Sequence, residues 1–331
     1  MAEATTTSLR YSQAVNEALA RALDEFPESL FYGEDVAAPG GVFGASRGLQ
    51  ERFGPRVFDT PISESAMLGA AVGAAMVGRR PIVEIMWADF LFVGLDQLVN
   101  QAAHVRYLSR GTLCVPLTVR TQQGSLAASS LQHSRCVEAM FTHVPGLKVA
   151  LPSCPEDAYA LLLSAIADDD PVMVFEHRAL YGGKGDVALG APIEPVGGAR
   201  IRRSGSDVTI VALSRMVQVA LEAADALAGE GIDCEVIDPR WIVPLDAETI
   251  GRSVERTNRL VVVHEAVRTG GFGAEIAALA AGEWFWDLDA PVVRVTAPDV
   301  PKPSAPTLEA AVIPDAADVA AAVRTVVGDT P

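Results

Sequence analysis

An acidic residue stands where a short apolar strand gives way to a helix. The strand Arg56-Val57-Phe58 is followed by Asp59-Thr60-Pro61-Ile62-Ser63-Glu64, and a helix is predicted from Glu64 to Gly78. Open α/β sheets bind their ligands beyond the carboxyl ends of the parallel strands. Glu64 is therefore a candidate for contact with a ligand. The alternative is that its charge only stabilises the positive end of the helix, by about 0.3 to 1 kcal/mol.

The helix that begins at Glu64 is rich in small residues, namely Gly69, Ala70, Ala71, Gly73, Ala74 and Ala75. Each glycine costs a helix about 1 kcal/mol relative to alanine, so such a composition needs a compensating contact. Close approach of a second backbone would supply it. We therefore expect a tight interface on this helix, either within the chain or between subunits.

A histidine with polar neighbours is the second candidate. His133 lies in Gln132-His133-Ser134, after a loop over 121–130 that is rich in Ser, Gln and Ala. Imidazole can act as an acid, as a base or as an oriented hydrogen-bond donor. A structural role is the alternative, and the same ambiguity applies to His104, His143, His177 and His264.

Motifs of other catalytic classes are incomplete in this sequence. It has no Walker loop of nucleotide hydrolases. Gly270-Gly271-Phe272-Gly273 has the glycines of a phosphate-binding loop but does not complete Gly-x-Gly-x-x-Gly. We interpret it as a tight turn that leads into a helix, with anion binding as the alternative.

The composition argues against several other functions. Half of the 331 residues are hydrophobic, and 26 Lys and Arg against 42 Asp and Glu leave a formal charge of −16. This charge opposes binding to nucleic acid or to an anionic membrane surface. The four cysteines lack metal-binding spacing, the first ten residues form no apolar signal segment, and no run is long enough to span a membrane. We expect a cytoplasmic protein.

Strands and helices alternate along the first half of the chain. Strands are predicted at 30–33, 56–58, 81–85, 114–120, 148–151 and 172–175. Helices are predicted after Ser12 as N-cap and over 64–78, 92–107, 137–141 and 155–168. Nearly continuous apolar strands between helices are typical of a parallel sheet that is covered on both faces.

Glycine and proline interrupt this pattern between Leu180 and Ser206, where we expect a surface connection and a domain boundary. A second set follows, with strands at 208–211, 234–237, 260–263 and 292–295 and helices at 216–228, 247–257, 272–281 and 316–327. The fold class is therefore α/β, with two tandem parallel-sheet domains. We expect residues 1–190 to form the first domain, 191–206 a linker and 207–331 the second domain.

Longer motifs run through almost the whole chain. They include Gly33-Glu34-Asp35-Val36, Asp59-Thr60-Pro61-Ile62 with Glu64, Asp96-Gln97-Leu98-Val99-Asn100-Gln101, His133-Ser134, His143-Val144-Pro145-Gly146-Leu147, His264-Glu265 and Gly270-Gly271-Phe272-Gly273-Ala274-Glu275. In this order they resemble the beta subunit of the thiamine-diphosphate-dependent decarboxylase component of 2-oxoacid dehydrogenase complexes, a relative of transketolase. The resemblance implies a thiamine-enzyme pyrimidine-binding domain followed by a transketolase C-terminal-type domain.

The resemblance also implies roles for single residues. Glu64 corresponds to the glutamate that hydrogen-bonds N1′ of the cofactor's pyrimidine, where a carboxyl favours the imino tautomer whose 4′ nitrogen can remove the thiazolium C2 proton. Phe90 corresponds to the ring packed by the pyrimidine, and Ile62 and Met86 are the further cofactor-binding residues. His133 corresponds to an active-site histidine near the thiazolium, which orients substrate or moves protons.

A potassium ion on main-chain carbonyls is a further feature of many family members. The matching positions in this sequence are Val115, Leu117, Thr118, Ala165, Asp168 and Asp170. A pair of loops without a metal ion is the alternative.

The diphosphate half of a thiamine site is missing from this sequence. Thiamine enzymes hold magnesium and the diphosphate with a Gly-Asp-Gly motif followed by Asn-Asn, which supplies hard oxygen ligands. This chain has no Gly-Asp-Gly, and its three asparagines, Asn16, Asn100 and Asn258, are never adjacent. The resemblance therefore implies an alpha subunit that completes the site, in an assembly of two alpha and two beta chains.

The activity that the resemblance implies is decarboxylation of a 2-oxoacid and transfer of the acyl group to a lipoyl-bearing acyltransferase. Three features depart from the family pattern. One is the loop ahead of His133, which is glycine-rich in the family but has Gly124 as its only glycine between Thr121 and His133. Met86 replaces a glutamine, and Arg135-Cys136 stands after His133-Ser134 where the family has Gln-Ser. Because these changes put the acceptor in question, two alternatives stay open: a stand-alone acyloin-forming or ketol-transferring enzyme, and a non-catalytic scaffold partner.

Overall fold

The computed structural model describes residues 5–126 and 129–328. The chain divides into two compact units. The first comprises Met1–Gln123 and Met140–Val196, and the second comprises Gly124–Ala139 and Gly197–Pro331. A short stretch of the first half of the sequence, 124–139, therefore belongs to the second unit.

Eight strands belong to the first unit: β1 (Thr5–Arg10), β2 (Ser29–Gly33), β3 (Val57–Asp59), β4 (Arg80–Ile85), β5 (Thr118–Gln123), β6 (Lys148–Ala150), β7 (Val172–His177) and β8 (Lys184–Leu189). Within the unit, six of them form a sheet in the order β6-β7-β5-β4-β2-β3, and all neighbours are parallel. β5 and β7 are buried along their whole length. This confirms the expected covered parallel sheet.

The helices in this part of the chain are α1 (Tyr11–Glu25), α2 (Leu49–Phe53), α3 (Glu64–Met76), α4 (Val105–Leu108), α5 (Glu138–Thr142) and α6 (Pro155–Ala167). The N-cap predicted at Ser12 is wrong. Arg10 is the N-cap of α1, and its backbone N–H donates to the Gln13 side chain over 2.9 Å. The Gln13 side chain thus satisfies the backbone donor at this earlier start of the helix.

The continuous helix predicted over 92–107 is also wrong. A 3₁₀ helix covers Ala88–Gly94, a π-helix covers Gln97–Ala102, and α4 follows. Hydrophobic spacing did not separate these helix types because their periods are similar.

Regular structure exists where the sequence predicted only a surface connection between Leu180 and Ser206. β8 pairs antiparallel with β1, which the sequence analysis also missed. The apolar pattern that predicts a strand is weak in both, because both strands are largely exposed and only Val187 of β8 is buried. A further strand of this stretch, β9 (Arg200–Arg203), belongs to the second unit.

The second unit contains its own mainly parallel sheet. The other strands are β10 (Val208–Ala212), β11 (Cys234–Asp238), β12 (Trp241–Val243), β13 (Leu260–Val267) and β14 (Val293–Ala297). Five strands stand in the order β14-β13-β10-β11-β9, with only β9 antiparallel to its neighbour. The helices are α7 (Met216–Ala228), α8 (Ala247–Thr257), α9 (Gly273–Gly282), α10 (Pro306–Ala310) and α11 (Ala316–Gly328).

The core of this unit lies between the sheet and the apolar faces of α7 and α11. Val217, Ala220 and Leu227 of α7 and Val319 and Val323 of α11 are completely buried there. The spacing of three and four residues along each helix explains why one face is buried. None of the helices in the described part of the chain is long and apolar enough to cross a membrane.

Candidate active site

Three neighbouring strands of the first unit end at the same edge of its sheet. β2 ends at Gly33, which pairs in register with Asp59 at the end of β3 and with Glu84 near the end of β4. The Thr60 backbone N–H donates to the Gly33 carbonyl over 2.9 Å. The chain that leaves β3 therefore stays beside β2 and brings the start of α3 to this edge.

Glu64 opens α3 at the sheet edge and is nearly buried, with 7% of its surface exposed. Throughout residues 5–126 and 129–328, no group donates a hydrogen bond to its carboxylate. A shielded carboxylate at a helix N-terminus can accept an N–H from a ligand or share a proton with it. Glu64 thus fits the contact with pyrimidine N1′ that the resemblance implies.

The segment that carries Phe90 packs directly on the first turns of α3. The Ser65 hydroxyl donates to the Val93 carbonyl over 2.5 Å. At Gly94 a Cβ atom would lie 3.0 Å from the Glu64 carbonyl oxygen and 2.5 Å from Leu68 Cδ1, so only glycine permits this approach. The 3₁₀ segment with Phe90 is therefore held against the helix that begins with Glu64.

Ile62 and Met86 complete the group of predicted cofactor-binding residues. Ile62 is 80% exposed two positions before Glu64, and the half-buried Met86 follows β4 directly. Because β4 lies next to β2 in the sheet, both residues belong to the edge that carries Glu64. The first unit thus places apolar residues on the same sheet edge as one buried carboxylate, a combination that suits a polar heterocycle with flat apolar faces.

Glu34 is an acid of this edge that the sequence analysis did not single out. It follows β2 directly and is nearly buried. Burial raises the pKa of Glu34 above its ordinary value, and the negative charges of Glu64, Asp35 and Glu84 raise it further. A sequence signal existed, because Glu34 is the first residue beyond an apolar strand, the type of position that identified Glu64.

Arg120 neutralises buried acids inside the sheet. Its guanidinium donates to Glu84 and to both carboxylate oxygens of Glu176, over 2.8 and 2.7 Å, and to the Tyr181 hydroxyl over 3.1 Å. Burial raises the pKa of Glu84, although Arg120 acts in the opposite direction. Since a buried charge is tolerated only when it is paired, this cluster holds three strands in one arrangement. The sequence pattern did not indicate this cluster, because its charges lie within strands that are otherwise apolar.

His133 belongs to the second unit, on the segment 124–139. It ends a 3₁₀ turn over Leu131–His133 and is half-buried. Contacts with buried side chains hold this segment on both sides of the turn. The Ser125 backbone N–H donates to Glu265 over 2.7 Å, and Glu138 contacts His264 Nε2.

The residues predicted to bind potassium lie in the first unit, where several of their oxygens already accept hydrogen bonds. The Val115 carbonyl accepts from Leu117 N–H over 2.7 Å, and the Asp168 carbonyl accepts from Arg80 over 2.7 Å. Both carboxylate oxygens of Asp168 lie 2.7 Å from Lys148 Nζ. Arg80 thus bonds one carbonyl that would face the ion, and Lys148 bonds the carboxylate of the same residue. The potassium site stays a prediction.

Two family descriptions match the chain. Residues 7–184 match the transketolase pyrimidine binding domain, and residues 197–319 match the transketolase C-terminal domain. A solved split-gene transketolase, described as an inactive beta4 tetramer, matches with a TM-score of 0.80 at 24% identity over 100% of both chains. A transketolase mutant from Pichia stipitis matches with a TM-score of 0.70 at 16% identity, over 97% of this chain and 46% of that one. These structures establish the fold as transketolase-like and confirm the predicted fold class.

Curated relatives are more similar in sequence. The beta subunit of acetoin:2,6-dichlorophenolindophenol oxidoreductase of Cupriavidus necator is 45% identical over 94% of this chain and 95% of its own length. The pyruvate dehydrogenase E1 component subunit beta of Rickettsia felis is 44% identical over 95% and 97%. The 2-oxoisovalerate dehydrogenase subunit beta of Bacillus subtilis is 40% identical over 91% and 93%. The chain therefore belongs to the family of beta subunits of thiamine-diphosphate-dependent 2-oxoacid dehydrogenases.

Proposed function

We propose that this chain supplies the pyrimidine half of a thiamine diphosphate site and works with an alpha subunit to decarboxylate a 2-oxoacid and pass the acyl group to a lipoyl carrier. The observation that carries the proposal is the nearly buried Glu64 carboxylate, which receives no hydrogen bond within residues 5–126 and 129–328. An alpha chain with the Gly-Asp-Gly and Asn-Asn motifs would hold magnesium and the diphosphate, in an assembly of two alpha and two beta chains.

Each predicted residue has a distinct task in this proposal. When bound, thiamine diphosphate supplies the electron sink that decarboxylation of a 2-oxoacid requires. Glu64 holds or moves the proton at pyrimidine N1′, and Ile62, Met86 and Phe90 pack against the ring and exclude water from it. His133 orients the substrate or moves a proton near the thiazolium.

Two further proposals concern ions and location. Potassium would bind at the carbonyls of Val115, Leu117, Thr118, Ala165, Asp168 and Asp170. We place the protein in the cytoplasm, where thiols stay reduced. In support, no disulfide joins the four cysteines, all of which lie in the described part of the chain.

A second candidate function is chemistry on acyloins. Two relatives with 45% identity are named acetoin:2,6-dichlorophenolindophenol oxidoreductase subunits, one from Cupriavidus necator and one from Bacillus subtilis. The departures at Met86 and Arg135-Cys136 lie in motifs that the resemblance assigns to the site. We propose acetoin as the alternative substrate, or an acyloin as the product of a stand-alone reaction.

Product analysis separates these functions. The chain would be purified with its alpha partner and supplied with pyruvate, with branched-chain oxoacids or with acetoin, each with and without a lipoyl domain. Lipoyl-dependent turnover of an oxoacid supports the first proposal, and turnover of acetoin supports the second. A stable complex that turns over none of them with added thiamine diphosphate would favour a non-catalytic scaffold.

A further inference from the structure

Trp87 adopts a backbone conformation that is unfavourable for any residue other than glycine. Its φ and ψ angles are 80° and 126°. It stands at the junction between β4 and the 3₁₀ segment Ala88–Gly94, with Met86 on one side and Phe90 three positions later. Strained conformations of this kind persist only where the surroundings hold them, and they are concentrated at functional sites.

A stack of side chains from three parts of the first unit holds the Trp87 ring. The guanidinium of Arg178, one residue beyond β7, lies 4.1 Å from the ring centroid. Phe43, from the loop after β2, meets the indole edge-on at 5.3 Å and also lies 5.7 Å from the Arg178 guanidinium. Arg178 is 8% exposed, so this cation–π contact is largely shielded from water and correspondingly stronger than a surface one.

The Trp87 turn starts the 3₁₀ segment that carries Phe90. The Phe90 backbone N–H donates to the Trp87 carbonyl over 3.0 Å, so the first turn of the 3₁₀ segment is built on Trp87 itself. The far end of the segment is pinned to α3 by the Ser65 contact with Val93. The segment is therefore fixed at both ends, by the stacked Trp87 at one and by the Glu64-bearing helix at the other.

We propose that Arg178 is a positioning residue of the thiamine site: by stacking on Trp87 it holds the strained turn that presents Met86 and Phe90 to the pyrimidine. This inference rests on the proposed function of the same site. Arg178 does not contact the reacting atoms in this proposal, and its effect passes through the Trp87 ring and backbone. The flat shape of the guanidinium matters as well as its charge. A guanidinium can lie flat against an aromatic face, whereas an ammonium interacts with the ring only as a point charge.

The test compares substitutions at Arg178 in the complete complex with the alpha subunit. Arg178→Met removes the cation, and Arg178→Lys keeps the charge without the planar group. Arg52→Met is the matched control, since Arg52 lies 4.8 Å from the Phe53 ring but on an exposed part of α2. Calorimetry measures the dissociation constant for thiamine diphosphate with magnesium, and melting temperatures report folding.

We expect Arg178→Met to raise the dissociation constant about tenfold, which corresponds to about 1.4 kcal/mol. Arg178→Lys should lie between wild type and Arg178→Met, and Arg52→Met should stay within about twofold of wild type. The turnover number at saturating cofactor should fall less than the affinity does. Equal cofactor affinity in wild type and in a folded Arg178→Met complex would overturn the positioning role.

Trp87→Gly gives a second, independent test. Glycine adopts positive φ without strain, so it relieves the backbone while it removes the ring. We expect weaker cofactor binding without a matching loss of melting temperature. Unchanged cofactor affinity would show that the turn needs no stacked ring. Failure of the wild-type complex to bind thiamine diphosphate at all would instead refute the proposed function, and the positioning role with it.

Discussion

Replacement of Glu64 by glutamine removes a charge and a transferable proton while it keeps the size of the side chain. If the carboxyl serves pyrimidine N1′, the amide cannot share a proton with the ring, and removal of the thiazolium C2 proton should slow. If the charge only complements the helix dipole, the reaction should be unaffected and the protein slightly less stable.

The expected magnitudes of the two effects differ widely. A positioned acid or base contributes about 10²- to 10⁴-fold to a rate, so we expect C2 exchange to slow by at least about a hundredfold, or about 2.7 kcal/mol. Loss of a first-turn charge costs about 0.3 to 1 kcal/mol. Burial and the charge of Glu64 both raise the pKa of Glu34, so the two carboxylates repel each other. Removal of the Glu64 charge relieves this repulsion, which offsets part of the cost in stability.

The assay is deuterium exchange at thiazolium C2, measured in wild-type and Glu64→Gln complexes with their alpha subunit beside the melting temperatures. Glu248→Gln is the matched control, because Glu248 also lies in the first turn of a helix but is exposed and pairs with Arg252. It should leave exchange unchanged. In the Glu64→Gln protein the pKa of Glu34 should also fall towards its ordinary value, since one repelling charge is gone.

An unchanged exchange rate in Glu64→Gln, together with a lowered melting temperature, would return Glu64 to the role of a helix-end charge. A slowed rate accompanied by dissociation of the complex would point to assembly instead of chemistry. Size-exclusion chromatography of the same samples separates these results.

Three other expectations concern stability and assembly. Arg120→Met should destabilise the fold by about 3 to 5 kcal/mol in urea melts, because it leaves buried acids unpaired, and Glu176→Gln added to it should recover part of the loss. Asp246→Ala should cost about 0.5 to 2 kcal/mol as a lost N-cap. Burial alone would raise the pKa of Asp246, but hydrogen bonds from Ala199 and Thr249 lower it below the ordinary 3.8. The stability that this carboxylate contributes is therefore complete well above pH 3.8 and is lost as the pH falls through its lower pKa in the folded protein. Gly73→Ala should stabilise the isolated chain by about 0.5 to 1 kcal/mol, since the added Cβ would meet no described atom within 4 Å apart from its own stretch of helix. The same change should weaken assembly if a partner packs there, whereas Gly282→Ala should affect stability alone.

The sequence predicted the features of the fold that depend on strong hydrophobic periodicity. The helices Met216–Ala228 and Ala247–Thr257 have the predicted bounds, and α6 differs from its prediction by one residue. The pair of β1 and β8 was missed because it is largely exposed and is stabilised by backbone pairing that leaves no apolar pattern.

The candidate site was predictable where position along a strand identified the residue, as for Glu64. The side chains that hold the neighbouring Trp87 turn could not be predicted from position along a strand. Arg178 and Trp87 are 91 positions apart in sequence, and only the sheet order brings the ends of β4 and β7 close enough for them to stack. The positive φ of Trp87 left no signal either, because tryptophan is not a residue type that marks such turns.

We propose that this chain holds only the pyrimidine half of a thiamine site. Calorimetric titration of thiamine diphosphate with magnesium, into the isolated chain and into its complex with the alpha subunit, tests it most directly. We expect little or no binding to the isolated chain and one cofactor for each pair of alpha and beta chains in the complex. Tight one-to-one binding to the isolated chain would contradict the divided site.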